Sequence, residues 1–124
     1  MNNLFSLKDK VIVVTGASSG IGRATAIMCS QLGGKVILLG RNEERLKETI
    51  NSLENTGHIY YSLDINQDVD VDIFVEKLDK VDGIVHSAGI VQSQLFSFLK
   101  KNDMENILNT NLIAPALLTK KIIK

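Results

Sequence analysis

Residues 15–22, Thr15-Gly16-Ala17-Ser18-Ser19-Gly20-Ile21-Gly22, lie between a β-branched run, Val11-Ile12-Val13-Val14, and a stretch with helical spacing at Ile21, Thr25, Met28 and Leu32. A short, continuously apolar run suits a strand covered on both faces, which points to a parallel sheet packed between helices. A helix that opens directly after such a strand presents unpaired N–H groups and a partial positive charge, and these attract phosphate. Glycines allow the tight turn and let the backbone approach a pyrophosphate closely. A mononucleotide P-loop would need G-x-x-x-x-G-K-[ST]. Counted from Gly16, its second glycine falls at Ile21, and Arg23-Ala24 follows Gly22, so that loop is excluded.

The alternation continues along the chain. Val36-Ile37-Leu38-Leu39, Ile59-Tyr60-Tyr61-Ser62-Leu63 and Gly83-Ile84-Val85-His86 read as three further strands. Between them, Gly33-Gly34 stops the first helix, and Leu46, Ile50 and Leu53 mark a second helix with Asn42 as its N-cap and Glu43-Glu44 in its first turn. Val71, Val75 and Leu78 mark a third, and Met104, Ile107, Leu108, Leu112 and Leu118 a last segment from about Asp103 to Lys124. Lys120, Lys121 and Lys124 suit the negative end of that segment, and Pro115 is expected to bend it or mark a boundary. The order β-α-β-α-β-α-β-loop-α predicts an α/β protein with a doubly wound parallel sheet and helices on both faces. Four strands in order 3-2-1-4 fall short of the six of a full dinucleotide fold, and they leave strand four as an edge. No composition shift marks a linker, so residues 1–124 read as one domain.

The 14 basic and 14 acidic residues cancel, which argues against nucleic acid as a partner. A single cysteine, Cys29, excludes a disulfide framework and a Cys-based zinc site. Asp68-Val69-Asp70-Val71-Asp72 opens like a calcium loop, but Ile73 stands where that loop needs glycine and Asp79 where it needs glutamate. These acids read as a solvated helix start, and no metal site is expected. Met1 to Lys10 has no apolar signal core, and the longest apolar run, Leu112 to Leu118, is far short of a bilayer span. The expected location is the cytoplasm, without a membrane partner.

The motifs together resemble the short-chain dehydrogenase/reductase family over nearly the whole chain. Its T-G-x-x-x-G-x-G pattern matches Thr15, Gly16, Gly20 and Gly22. Gly40-Arg41-Asn42 resembles the family's turn after strand two, and Asp64-Ile65 its adenine-contacting pair. Ser87-Ala88-Gly89 resembles the end of its N-N-A-G motif, with His86 and Ser87 replacing the two asparagines. Asn111 resembles the helix asparagine of its active-site tetrad. The resemblance implies a Rossmann fold, an NAD(P) cofactor, hydride transfer to or from a small carbonyl or alcohol substrate, and pairing of subunits through the last helix. The implied cofactor contacts are Gly16, Ser18, Ser19, Gly20, Ile21, Gly22, Arg41, Asn42, Asp64, Ile65, Ser87, Ala88 and Gly89, and the implied catalytic residue is Asn111. Asp64 also reads as a turn cap, and His86 as a packed or hydrogen-bonded strand residue.

An NAD-preferring site places Asp or Glu at the end of strand two, on the ribose hydroxyls. Gly40 stands there, followed by Arg41, which can make a charge-assisted contact to a 2′-phosphate. NADP is therefore expected over NAD. The family's catalytic serine and Tyr-x-x-x-Lys have no match: four residues beyond Tyr60 and Tyr61 stand Asp64 and Ile65. Three readings follow: the N-terminal part of an NADP-dependent reductase, a non-catalytic nucleotide-binding remnant or subunit-pairing module, and an unrelated α/β enzyme such as a methyltransferase. Hydride transfer by the 124-residue chain alone is not expected.

Overall fold

The computed structural model describes residues 3–91 and 93–123. Four strands, β1 (Val11–Val14), β2 (Lys35–Gly40), β3 (Ile59–Ser62) and β4 (Gly83–Val85), form one parallel sheet in the order β3-β2-β1-β4. Val13 pairs with Ile37 on one side and Ile84 on the other. The expected strand order is thus observed, with β3 and β4 at the edges.

Successive strand residues point to opposite faces. Ile12, Val14, Val36 and Leu38 face α1 (Gly20–Gln31) and α2 (Glu43–Asn51), where Ala26, Cys29 and Leu46 complete one buried cluster. Val13, Ile37 and Leu39 face α3 (Asp68–Glu76) and the last helix, where Val71, Phe74 and Leu118 complete the other. Each large side chain buried this way contributes about 1.5–3 kcal/mol. Burial on both sides is why the central strands read as unbroken apolar runs.

The C-terminal segment departs from its expected form. It comprises α4 (Lys101–Leu108), a π-helical turn at Asn109–Ile113, and α5 (Ala114–Ile122). Pro115 marks a boundary, as expected: it lies at the start of α5, directly after the π-helical turn. Its ring crowds the carbonyl four residues earlier, that of Asn111, and the wider turn accommodates this. The acids at the start of α3 are exposed, as expected from the sequence, and two of them also meet a lysine. Lys121 of α5 lies 2.9 Å from Asp72 and 3.8 Å from Asp68, and the hydrogen bond to Asp72 raises its pKa. Lys121 therefore ties α5 to α3 from the last turn of α5, the negative helix end where it was expected. Lys124 lies outside the described residues.

Candidate functional site: the cleft above the glycine loop

The loop between β1 and α1 is held from two sides. Thr15 is fully buried, and its hydroxyl accepts the N–H groups of Ser87 (3.1 Å) and Ala88 (3.2 Å). Ser87 returns a hydrogen bond from its own hydroxyl to the Thr15 carbonyl. The segment after β4 is thereby fastened to the segment after β1. Gly22 packs so closely on the loop that a Cβ there would stand 2.0 Å from the Gly16 carbonyl oxygen. Gly20 differs: it has a φ of +55° and open space where a Cβ would go. One glycine permits contact with protein and the other leaves room for something that is not protein.

Above this loop lies a cavity of about 900 Å³ at the C-terminal ends of the strands. In an open α/β sheet such a crevice, where the chain reverses its direction of winding, is where ligands bind. Among the described residues, the backbone N–H groups of Ser18, Ser19, Gly20, Ile21 and Gly22 have no protein acceptor, whereas those of Ala17 and Arg23 bond to Leu39 and Ser19. Five free donors at a helix start form a cradle for an anion.

The cavity wall brings together all the cofactor residues expected from the sequence: Gly16, Ser18, Ser19, Gly20, Ile21, Gly22, Arg41, Asn42, Asp64, Ile65, Ser87, Ala88 and Gly89. Two have protein roles as well. The Asn42 side chain accepts the N–H of Arg45 at 3.0 Å, as the N-cap of α2. Asp64 accepts the N–H of Asn66 at 2.9 Å, which is the turn cap read as its alternative role. Asn111 sits in the π-helical turn, outside the wall, and its amide makes two bonds to Ile90, from the Ile90 N–H (2.8 Å) and to the Ile90 carbonyl (2.9 Å). Ile90 itself lines the cavity, so Asn111 shapes the wall through that residue. His86, expected as the last residue of its strand, lies just beyond β4 and bonds through Nε2 to the Thr119 hydroxyl at 2.7 Å, the hydrogen-bonded role expected for it.

Arg45, Asn66 and Thr110 also line the cavity and were not read from the sequence. Arg45 occupies the first turn of the helix that Asn42 caps, so the cap could have pointed to it. Asn66 donates to the Thr110 hydroxyl across 44 residues at 3.0 Å, a pairing that no local pattern announces. Among the described residues no hydrogen bond or ion pair engages the guanidinium of Arg41 or Arg45. The acids beside them are engaged elsewhere: Glu43 accepts from the Tyr60 hydroxyl at 3.2 Å, and Glu44 lies 3.6 Å from Lys47. At Gly40 a Cβ would meet the Leu46 side chain at 3.1 Å and Ser18 at 3.4 Å, and no carboxylate stands at the end of β2.

A parallel sheet in this order, with a glycine loop at its switch point, defines a doubly wound α/β protein of the Rossmann type. The sequence model of the short chain dehydrogenase family matches residues 10–124, and the chain belongs to that family. This removes the methyltransferase reading. An uncharacterised oxidoreductase of Listeria monocytogenes is 35% identical over 86% of this chain and 46% of its own length. A 3-oxoacyl-[acyl-carrier-protein] reductase of Rickettsia prowazekii is 35% identical over 98% of this chain and 50% of its own. The crystal structure of a short chain dehydrogenase from Salmonella enterica serovar Typhi superposes with a TM-score of 0.89 at 26% identity, covering 99% of this chain and 55% of that one. The chain thus spans about half the length of the relatives it matches. Among the described residues no helix is long and apolar enough to cross a membrane.

Proposed function

We propose that residues 1–124 form one cofactor-binding domain of an NADP-dependent oxidoreductase acting on a small carbonyl or alcohol compound. The observation that carries this reading is the cradle of five unpaired amides, with Arg41 and Arg45 on the wall of the same cavity. The amides of Ser18 to Gly22 bind the pyrophosphate, with Gly20 leaving the space it needs. Arg41 and Arg45 bind the 2′-phosphate, and the absence of a carboxylate at Gly40 removes the repulsion it would meet. Asp64 and Ile65 border the adenine, and Ser87, Ala88 and Gly89 border the nicotinamide ribose. Bound NADPH supplies a hydride. A second guanidinium supports a 2′-phosphate more firmly than Arg41 alone, which was the only base expected from the sequence.

The chain's own residues do not provide the proton. Tyr60 and Tyr61 lie on β3; the first donates to Glu43, and the second packs edge-on against Phe74 at 5.1 Å. The 124-residue chain therefore binds NADPH without turning it over. The test is a titration with both cofactors followed by an NADPH-oxidation assay with a carbonyl panel, on protein of verified intact mass. Equal NADH affinity would overturn the cofactor reading, and turnover would overturn the non-catalytic one.

A pairing role has its own support: Leu108, Leu112 and Leu117 are exposed along the π turn and its flanking helices. We propose self-association through this face. A cytoplasmic location fits a chain whose single cysteine, Cys29, is buried and unpaired.

A further inference from the structure

Two carbonyls of the glycine loop are captured by groups that lie outside the cavity. Thr49 of α2 is fully buried and donates its hydroxyl to the Ala17 carbonyl at 2.9 Å. Arg23 of α1 donates from Nη2 to the Ser18 carbonyl at 2.8 Å and from Nε to the Thr49 hydroxyl at 2.9 Å. The same guanidinium reaches the Arg45 carbonyl and the Glu48 carboxylate, each at 3.2 Å. It therefore joins the loop, α1 and α2 at one point. Neither Arg23 nor Thr49 lines the cavity.

A trans peptide holds its C=O and N–H in one plane, pointing in opposite directions. No described peptide bond is cis. Fixing the Ala17 and Ser18 carbonyls toward Thr49 and Arg23 therefore fixes the N–H groups of Ser18 and Ser19 on the other side. Those are two of the five amides with no protein acceptor, and both residues line the cavity. We infer that Arg23 and Thr49 are positioning residues for a diphosphate-bearing ligand: they hold two loop carbonyls away from the cavity so that two amides face it. Without this capture either peptide can flip, which would put a carbonyl oxygen against the phosphate.

This inference rests on the cofactor reading above and adds to it the residues that orient the cradle. The experiment compares Thr49→Val, Thr49→Ser, Arg23→Gln and Arg23→Lys with the parent protein. Each is checked for folding by circular dichroism and titrated with NADPH and with adenosine 2′-monophosphate, which carries the 2′-phosphate but no diphosphate. The expected result is an NADPH affinity at least tenfold weaker in Thr49→Val and Arg23→Gln, corresponding to about 1.4 kcal/mol. Adenosine 2′-monophosphate binding stays within twofold, and Thr49→Ser and Arg23→Lys recover most of the loss. Unchanged NADPH affinity in folded Thr49→Val and Arg23→Gln overturns the inference while leaving the cofactor reading intact. Equal losses for both ligands overturn it too, because they signal general damage. A parent protein that binds neither ligand overturns the cofactor reading and this inference with it.

Discussion

Gly20 and Gly22 stand two residues apart and answer the same substitution differently. A methyl at Gly22 would stand 2.0 Å from the Gly16 carbonyl oxygen, so Gly22→Ala forces the loop off α1. The expected loss is at least about 1–3 kcal/mol, the usual cost of overpacking, with loss of NADPH binding. A methyl at Gly20 meets open space, and Gly20→Ala costs about 1–2 kcal/mol for its left-handed backbone alone. Urea denaturation ranks the two; a larger loss at Gly20 would contradict the packing described. Arg41→Asp is expected to weaken NADPH by about 10- to 100-fold, since hydrogen bonds to charged groups contribute about 1.5–3 kcal/mol. NADH binding should change little. Arg45→Gln should act in the same direction but less strongly, and isothermal titration with each cofactor reads both. The glycines and Arg41 were legible because a strand, a turn and a helix start form one local pattern. Arg23, Arg45 and Thr49 were not, because their roles depend on how α2 lies against the loop, and no spacing within either segment encodes that.

At the scale of elements, β1, β2 and the helices that cover them were legible from period and run length. The π-helical turn was not. Pro115 showed where the boundary falls, but not that the residues just before it would widen into a π turn around the carbonyl its ring crowds. The start of β1 carries a pH-sensitive contact. Asp82, just before β4, accepts the Val11 N–H at 2.8 Å and lies 3.3 Å from Lys80. The Val11 bond, with help from Lys80, lowers its pKa below the ordinary 3.8. A lowered folded-state pKa contributes stability above the unfolded value and loses it as pH falls through the folded one. Thermal melts should therefore fall below about pH 4, and Asp82→Asn should flatten that decline. A parallel decline in the variant would contradict the assignment.

For the molecule as a whole, the sheet is complete at its centre and open at β4, with Leu108, Leu112 and Leu117 exposed nearby in sequence beyond it. Leu112→Lys is expected to shift the protein toward monomer in light scattering without altering NADPH affinity; an unchanged mass distribution would remove this face from the pairing. The strand order was legible because the glycine loop after β1 points to a dinucleotide fold, whose first four strands run 3-2-1-4. The far wall of the cavity was less so: Asn66, just before α3, and Thr110, in the π turn, meet because α3 and α5 pack on one side of the sheet. In the proposed reading the glycine-loop amides and two arginines hold the pyrophosphate and 2′-phosphate of NADP. The most direct measurement is the amide NMR spectrum of the protein titrated with NADPH and, separately, with NADH. Large shifts are expected at Ser18 to Gly22 with both cofactors, with NADPH binding at least about tenfold tighter. Absence of shifts at those five amides, or equal affinity for the two cofactors, would contradict that reading.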